Sequence, residues 1–353
     1  MDGYVTLAHD DPEFRKYLLG SFSNAKRALP VESFSQHSRR ERVTFRIVPL
    51  AELKKPSWWK IYFRACRPEL LGLTLAPFLV TIMWMSRALK ASIEKPADIV
   101  TALLGLFFLH VSAFLFNDFR DHMHGVDFAN RRRGSQVIQK GWASASEVRM
   151  WAVVNASLAL LFGIPAIFSH FEQLWPIVIA AGGIVVSLSM ISSKLARMGL
   201  SDLMVFFGLG PLLAVASILT AFGTWNSKVV LLGTAFGLLA VLTLELRQLE
   251  NLFRAGKDSF RTFLGGFEFD RAKVLVLGQI VLVAFSQVAV AAVILDKVVP
   301  LFGFALALIP FSQVYVLVRK AKSPISSDLV HLGRRAIFAG SACLAWWGIA
   351  VWI

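Results

Sequence analysis

The chain is short of charge. Of its 353 residues only 17% are Asp, Glu, Lys or Arg, while 56% are apolar. An ordinary soluble domain carries roughly 25% charged residues. Acids are the scarcer sign, 23 against 37 bases. Cysteine is nearly absent. Cys66 and Cys343 stand near opposite ends of the chain, which suggests neither a disulfide framework nor a zinc site. No short basic stretch followed by an apolar core opens the sequence, so no cleavable signal peptide is expected. The apolar runs lack period-two alternation, which argues against membrane strands.

What the sequence has is long apolar runs. Nine spans are predicted, at about 70–86, 99–116, 151–168, 174–193, 203–225, 229–244, 274–295, 298–318 and 336–353. Most reach the ~17–25 residues that a helix needs to cross the hydrocarbon core; the first and sixth are short. Mean hydropathy is +0.60. The expectation is an all-α, polytopic membrane protein with about nine transmembrane helices.

The net charge of +14 would raise nucleic acid as a partner in a soluble protein. Here the basic residues lie between apolar runs, where topology and anionic headgroups place them. The expected partner is therefore the lipid bilayer and not nucleic acid. Segments after the even-numbered spans hold roughly nineteen Lys plus Arg, and those after the odd-numbered spans about five. The N-terminus and the long loops at 117–149 and 245–273 are accordingly expected to be cytoplasmic, with the C-terminus outside. Two long polar loops four spans apart suggest a duplicated unit. Residues 1–57 read as a cytoplasmic tail and 58–353 as the membrane domain. Trp58, Trp59, Lys60, Tyr62 and Arg64 form an interfacial stretch between them.

The sharpest local feature follows the second span: Asn117-Asp118-Phe119-Arg120-Asp121-His122-Met123-His124-Gly125-Val126-Asp127. On a helix Asn117, Asp118 and Asp121 share a face, because offsets of one and four fall within about 100°. Gly125 is expected to end the helix and let Asp127 turn back. Carboxylates at this spacing suit a hard cation. Mg²⁺ prefers oxygen ligands and keeps waters and phosphate oxygens in its shell. His122 and His124 read as loop residues and not as ligands. Downstream, Arg131-Arg132-Arg133-Gly134-Ser135-Gln136 offers guanidinium forks and backbone amides that could hold phosphate, or simply a topological anchor.

These residues resemble a known family. Asn117-Asp118-x-x-Asp121, Gly125-Val126-Asp127, Arg131, Gly134-Ser135, Val137-Ile138 and Gly141 are similar to the first motif of the UbiA superfamily of intramembrane prenyltransferases. Within it they look most like the 1,4-dihydroxy-2-naphthoate prenyltransferases of menaquinone synthesis. Arg67-Pro68-Glu69-Leu70 looks like the N-terminal signature of that family. The stretch from Gly199 to Gly208, with Pro211, resembles its second cytoplasmic loop. The resemblance covers roughly residues 58–350. It implies a UbiA-like helical bundle around a central cavity open to lipid, with Mg²⁺ as cofactor. A prenyl diphosphate would be the donor and an aromatic or quinone-precursor the acceptor. Asp118 and Asp121 would bind metal, supported by Asn117 and Asp127; Arg131, Lys194, Arg247 and Lys257 would hold diphosphate.

The second family motif is altered here. The chain reads Leu244-Glu245-Leu246-Arg247-Gln248-Leu249-Glu250-Asn251-Leu252-Phe253-Arg254-Ala255-Gly256-Lys257, so Arg247, Gly256 and Lys257 match. Gln248 and Leu252 stand where the family has aspartates. Glu245 lies three residues before Gln248 and seven before Leu252. That spacing turns it toward the missing carboxylates, as a second metal ligand or an intrahelical partner. Glu250 falls off that face and groups with Arg247, Arg254, Lys257 and Arg261, as a salt-bridge partner. Gln136 replaces an expected arginine. Ser192, Ser193, Lys194 and Arg197 stand in the middle loop in place of a tyrosine-rich approach.

Three functions follow: prenyl transfer to an aromatic acceptor, a UbiA-type terpene cyclase acting on the same donor, and a non-catalytic lipid-binding relative. Acids at a membrane edge, away from the midplane, speak against a transporter.

Overall fold

The computed structural model describes residues 3–31, 42–88, 90–93, 95–125, 134–168, 182, 200–224, 226–250, 263–295 and 297–353. The chain divides into two compact units. One comprises residues 1–68, 108–159 and 254–259; the other comprises 69–107, 160–253 and 260–353.

The first unit begins with a small α+β module in the segment expected as a tail. Strand β1 (Gly3–Ala8), helix α1 (Phe14–Leu19), strand β2 (Lys26–Pro30) and strand β3 (Arg42–Pro49) follow in order. The sheet is antiparallel with order β1-β3-β2, in register Val5 to Phe45 and Ala28 to Ile47. Its cause is alternation: Val43, Phe45 and Ile47 recur at period two and turn inward. Phe14 and Leu18, one helical turn apart on α1, close the core with Ala28. Burial of each such large side chain stabilises by about 1.5–3 kcal/mol. Gly20 ends α1 at φ 73°, the left-handed position a glycine occupies without steric cost. Helix α2 (Trp58–Cys66) comes next. Trp58 stacks on Tyr62 with ring centroids 5.3 Å apart, and meets Trp59 at 4.7 Å and Trp151 at 6.3 Å edge-on.

Eight helical segments among the described residues are long and apolar enough to cross a membrane. They run Trp58–Ala88, Pro96–Met123, Ala145–Ala166, Leu200–Phe222, Ser227–Leu249, Phe269–Leu295, Val299–Lys320 and Leu332–Trp352. These correspond to eight of the nine predicted spans. The remaining one, at 174–193, falls almost wholly outside the described residues. The two short spans gain length from flanking polar residues that the helices also include. The protein is thus a multi-pass, mainly helical membrane protein.

We label the helices α3 (Leu71–Ala88), α4 (Pro96–Met123), α5 (Ala145–Phe168), α6 (Leu200–Leu209), α7 (Pro211–Phe222), α8 (Ser227–Leu249), α9 (Phe269–Leu295), α10 (Val299–Ala307), α11 (Ile309–Lys320) and α12 (Leu332–Trp352). In the second unit α8 is central and packs on α3, α6, α7, α9 and α12. Leu232, Phe236, Leu239, Leu242 and Leu246 of α8 are buried. Phe285 on α9 and Phe302 on α10 are exposed, as lipid-facing side chains would be. The crossing of α6, α7 and α8 depends on glycine. A Cβ on Gly237 would lie 2.4 Å from the Phe206 carbonyl oxygen, and one on Gly210 would lie 2.6 Å from that of Gly233. Gln287 of α9 is fully buried among helices. Its Nε2 donates to the Ala235 carbonyl at 2.8 Å, and Trp347 Nε1 donates to its Oε1 at 2.8 Å, so three helices share one satisfied amide.

Candidate functional site

Helix α4 carries the first acidic group on its last turns. Asn117, Asp118 and Asp121 fall on one side, as their spacing predicts, and Asn117 Nδ2 donates to Asp121 Oδ2 at 3.2 Å. Asp118 is 3% exposed and Asp121 1%. The helix ends at Met123, and Gly125 takes φ 70°; a glycine stop is the expectation met. Asp127 and Arg131 lie outside the described residues, as do Lys194 and Lys257.

Burial of a carboxylate demands compensation. For Asp118 it comes from Arg67, whose guanidinium donates to Asp118 Oδ1 in a buried ion pair. Arg67 sits at φ 50° just before Pro68, where the chain turns between α2 and α3. Its guanidinium also lies 5.1 Å from the Phe114 ring centroid. The Ser135 backbone N–H donates to Asp118 Oδ2 at 3.2 Å, and Arg64 Nε donates to the Ser135 carbonyl at 2.9 Å. The turn after Arg133 therefore folds back onto the acidic helix end. Of the 131–136 run, read as a phosphate cradle or a topological anchor, the Ser135 amide donates to Asp118. One correction concerns His122, taken for a loop residue. It is inside α4, 1% exposed, with Nε2 at 2.9 Å from the Leu18 carbonyl. His124 Nδ1 lies 2.7 Å from the Arg120 carbonyl.

In the second unit Glu245 is buried near the end of α8, 1% exposed. Its carboxyl meets Asp202, from the first turn of α6, and the Gln279 amide of α9. Asp202 Oδ2 accepts from the Phe263 N–H at 2.7 Å. Among the described residues no donor reaches Glu245 Oε2 or Gln279 Oε1. Two touching carboxylates with a surplus of acceptor oxygens call for a cation or a shared proton. Sequence reading singled out Glu245 but missed its partner Asp202, which lies 43 positions earlier. Arg247 is half-buried, with its Cγ 2.9 Å from where a Cβ on Gly333 would stand. Glu250 has backbone partners that the sequence did not suggest. Its carboxylate accepts the backbone N–H groups of His331 at 3.2 Å and Gly333 at 3.0 Å, capping α12 as an anion at a helix N-terminus does. The basic partners expected for it at 254, 257 and 261 lie outside the described residues.

The donors around Asn117, Asp118 and Asp121 are oxygens, the ligands of a hard cation. Among the described residues no three His, Cys, Asp or Glu side chains converge as a metal site. A cation at the α4 end would thus complete its shell with the Asn117 amide oxygen, water and substrate oxygens, which is the habit of Mg²⁺.

No protein-family model matches the chain. It is 27% identical over 297 residues to a 1,4-dihydroxy-2-naphthoate octaprenyltransferase of Haemophilus influenzae, covering 79% of this chain and 91% of that protein. Its fold is similar to that of a UbiA homologue from Archaeoglobus fulgidus solved with GPP and Mg²⁺, at TM-score 0.54 and 13% identity, covering 83% of this chain and 100% of that one. The same homologue solved with DMAPP and Mg²⁺ gives TM-score 0.54 at 12% identity, with 83% and 99% covered. This is a UbiA-type membrane protein in fold. The resemblance read from its motifs agrees with both findings, the fold with a UbiA homologue and the sequence with a naphthoate octaprenyltransferase.

Proposed function

We propose that this protein transfers an isoprenoid chain from a prenyl diphosphate to an aromatic or quinone-precursor acceptor within the membrane, with Mg²⁺ as cofactor. The observation that carries the reading is the buried oxygen cluster Asn117, Asp118 and Asp121 at the end of an apolar helix, in a chain similar to a naphthoate octaprenyltransferase. Asp121 and Asp118 would hold the cation, with Asn117 and Asp127 in support; Glu245, which meets Asp202, is proposed as a further metal-binding carboxylate. A cation held by these residues would supply charge neutralisation for the departing diphosphate. Arg131, Lys194, Arg247 and Lys257 are the proposed cationic groups for the diphosphate oxygens. The allylic carbon–oxygen bond breaks, the acceptor carbon bonds to the allylic carbon, and the displaced ring proton passes to solvent. Apolar helix walls keep water from the reactive carbon.

We read residues 1–57 as a module preceding a membrane domain at 58–353, with the N-terminus and long loops cytoplasmic. Gln248 and Leu252 in place of acids favour a second reading, a terpene cyclase. Product analysis separates the two. Membranes given farnesyl or geranylgeranyl diphosphate and Mg²⁺ without acceptor should leave the donor intact, and adding a dihydroxynaphthoate should consume it. A cyclic hydrocarbon or alcohol formed without acceptor would establish cyclisation instead.

A further inference from the structure

The N-terminal module grips both flanks of the 124–143 segment that follows the first acidic group. On the upstream flank of that segment His122, directly after Asp121, has its ring buried against α1. The Leu18 carbonyl it meets at 2.9 Å can only accept, so Nε2 carries the proton and donates. That carbonyl belongs to the last turn of a short helix, where carbonyls lack intrahelical partners. Leu18 itself is buried in the module core, and Met123 packs on the same core.

On the downstream flank, Ser144 and Glu147 form a capping box at the start of α5. Ser144 Oγ accepts the Glu147 N–H at 3.1 Å, and Glu147 Oε2 accepts the Ser144 N–H at 2.5 Å. Arg27 of β2, itself buried, reaches the same Glu147 oxygen at 3.1 Å. Close backbone approach adds to this. A Cβ on Gly20 would lie 2.9 Å from the Ser144 Cβ, and one on Gly141 would lie 3.1 Å from Leu53. Between the flanks, Ser135 returns to Asp118. The module therefore holds both chain segments whose meeting forms the Asp118 environment. Chain of this length exceeds what the fold requires: the solved neighbour is matched along 100% of its own length by 83% of this chain.

We propose that this module is a brace for the cation and diphosphate site, and that His122 is a positioning residue that fixes the Asp118–Asp121 turn through the Leu18 carbonyl. The inference rests on the functional reading above. Holding ligands in place acts on binding of metal and donor, with the bond-breaking step itself untouched.

The test uses full-length protein purified in detergent. Mn²⁺ binding in the presence of inorganic diphosphate is followed by electron paramagnetic resonance, alongside donor KM and kcat. His122→Ala should weaken Mn²⁺ binding and raise donor KM by about 10-fold, the scale seen for groups that orient metal ligands, with kcat nearly unchanged. His122→Gln, which keeps a donor at the distal nitrogen, should restore both to near wild-type values. Arg27→Met, which loosens the other arm without touching α4, should shift both in the same direction by less. Folded His122→Ala and Arg27→Met proteins that bind Mn²⁺ and donor like the wild type would overturn the brace. So would a fall in kcat with KM unchanged, or no rescue by Gln. Wild-type protein that holds no Mn²⁺ with diphosphate would overturn the functional reading itself, and the brace with it.

Discussion

Asp118 and Asp121 lie one turn apart on α4 yet do different work. Asp118 is the counter-ion of buried Arg67 and also accepts the Ser135 amide, so its removal strands a guanidinium in a buried place. Asp118→Asn should therefore cost about 3–5 kcal/mol of stability as well as activity. A lowered melting temperature in detergent checks this, and an unchanged one would mean the pair is not structural. Asp121 contacts Asn117 and is the cleaner chemical probe. Asp121→Asn should cut turnover about 100-fold or more while melting near the wild-type temperature. The spacing of 117, 118 and 121 made this cluster legible, because helical offsets are local. The Arg67–Asp118 pair spans 51 positions, and no periodicity reports a contact of that range. Glu250 shows the same limit of range. Its helical neighbours are basic, and it also accepts the backbone amides that open α12; amides leave no mark on composition.

At the scale of elements, the β module shows how a global pattern can hide a local one. Arg42-Val43-Thr44-Phe45-Arg46-Ile47-Val48 alternates and is rich in β-branched residues, the signature of a strand. It sits in a stretch of mixed charge that reads as tail beside the apolar spans. The membrane helices were far easier to read, because each needs only length and apolarity. Their seams were not. Gly210, Gly233 and Gly237 gave no signal in the sequence, yet they let α6, α7 and α8 touch at the backbone. Gly237→Ala should force these helices apart and cost about 1–3 kcal/mol or more, read as reduced thermal stability and yield; an unchanged protein would show that the seam yields freely. Gln287→Leu should likewise destabilise by about 1–3 kcal/mol, since the buried Trp347 N–H and Ala235 carbonyl lose their partner. A melting curve matching wild type would contradict that.

For the whole molecule, hydropathy made eight described membrane helices legible, and motif spacing led to the UbiA fold. Sequence did not reveal how the altered second motif is compensated. Nor did it reveal the Asp202–Glu245 contact, made within the second unit by two helices. The central claim is chemical: an acid-lined helix end at α4 serves prenyl transfer. It is tested most directly by incubating membranes with a labelled prenyl diphosphate, a dihydroxynaphthoate acceptor and Mg²⁺. Wild-type protein should give a labelled prenylated naphthoate, lost on chelation of the metal and in Asp121→Asn. Product that persists undiminished in Asp121→Asn, or wild-type protein that forms none with any donor, would contradict the account.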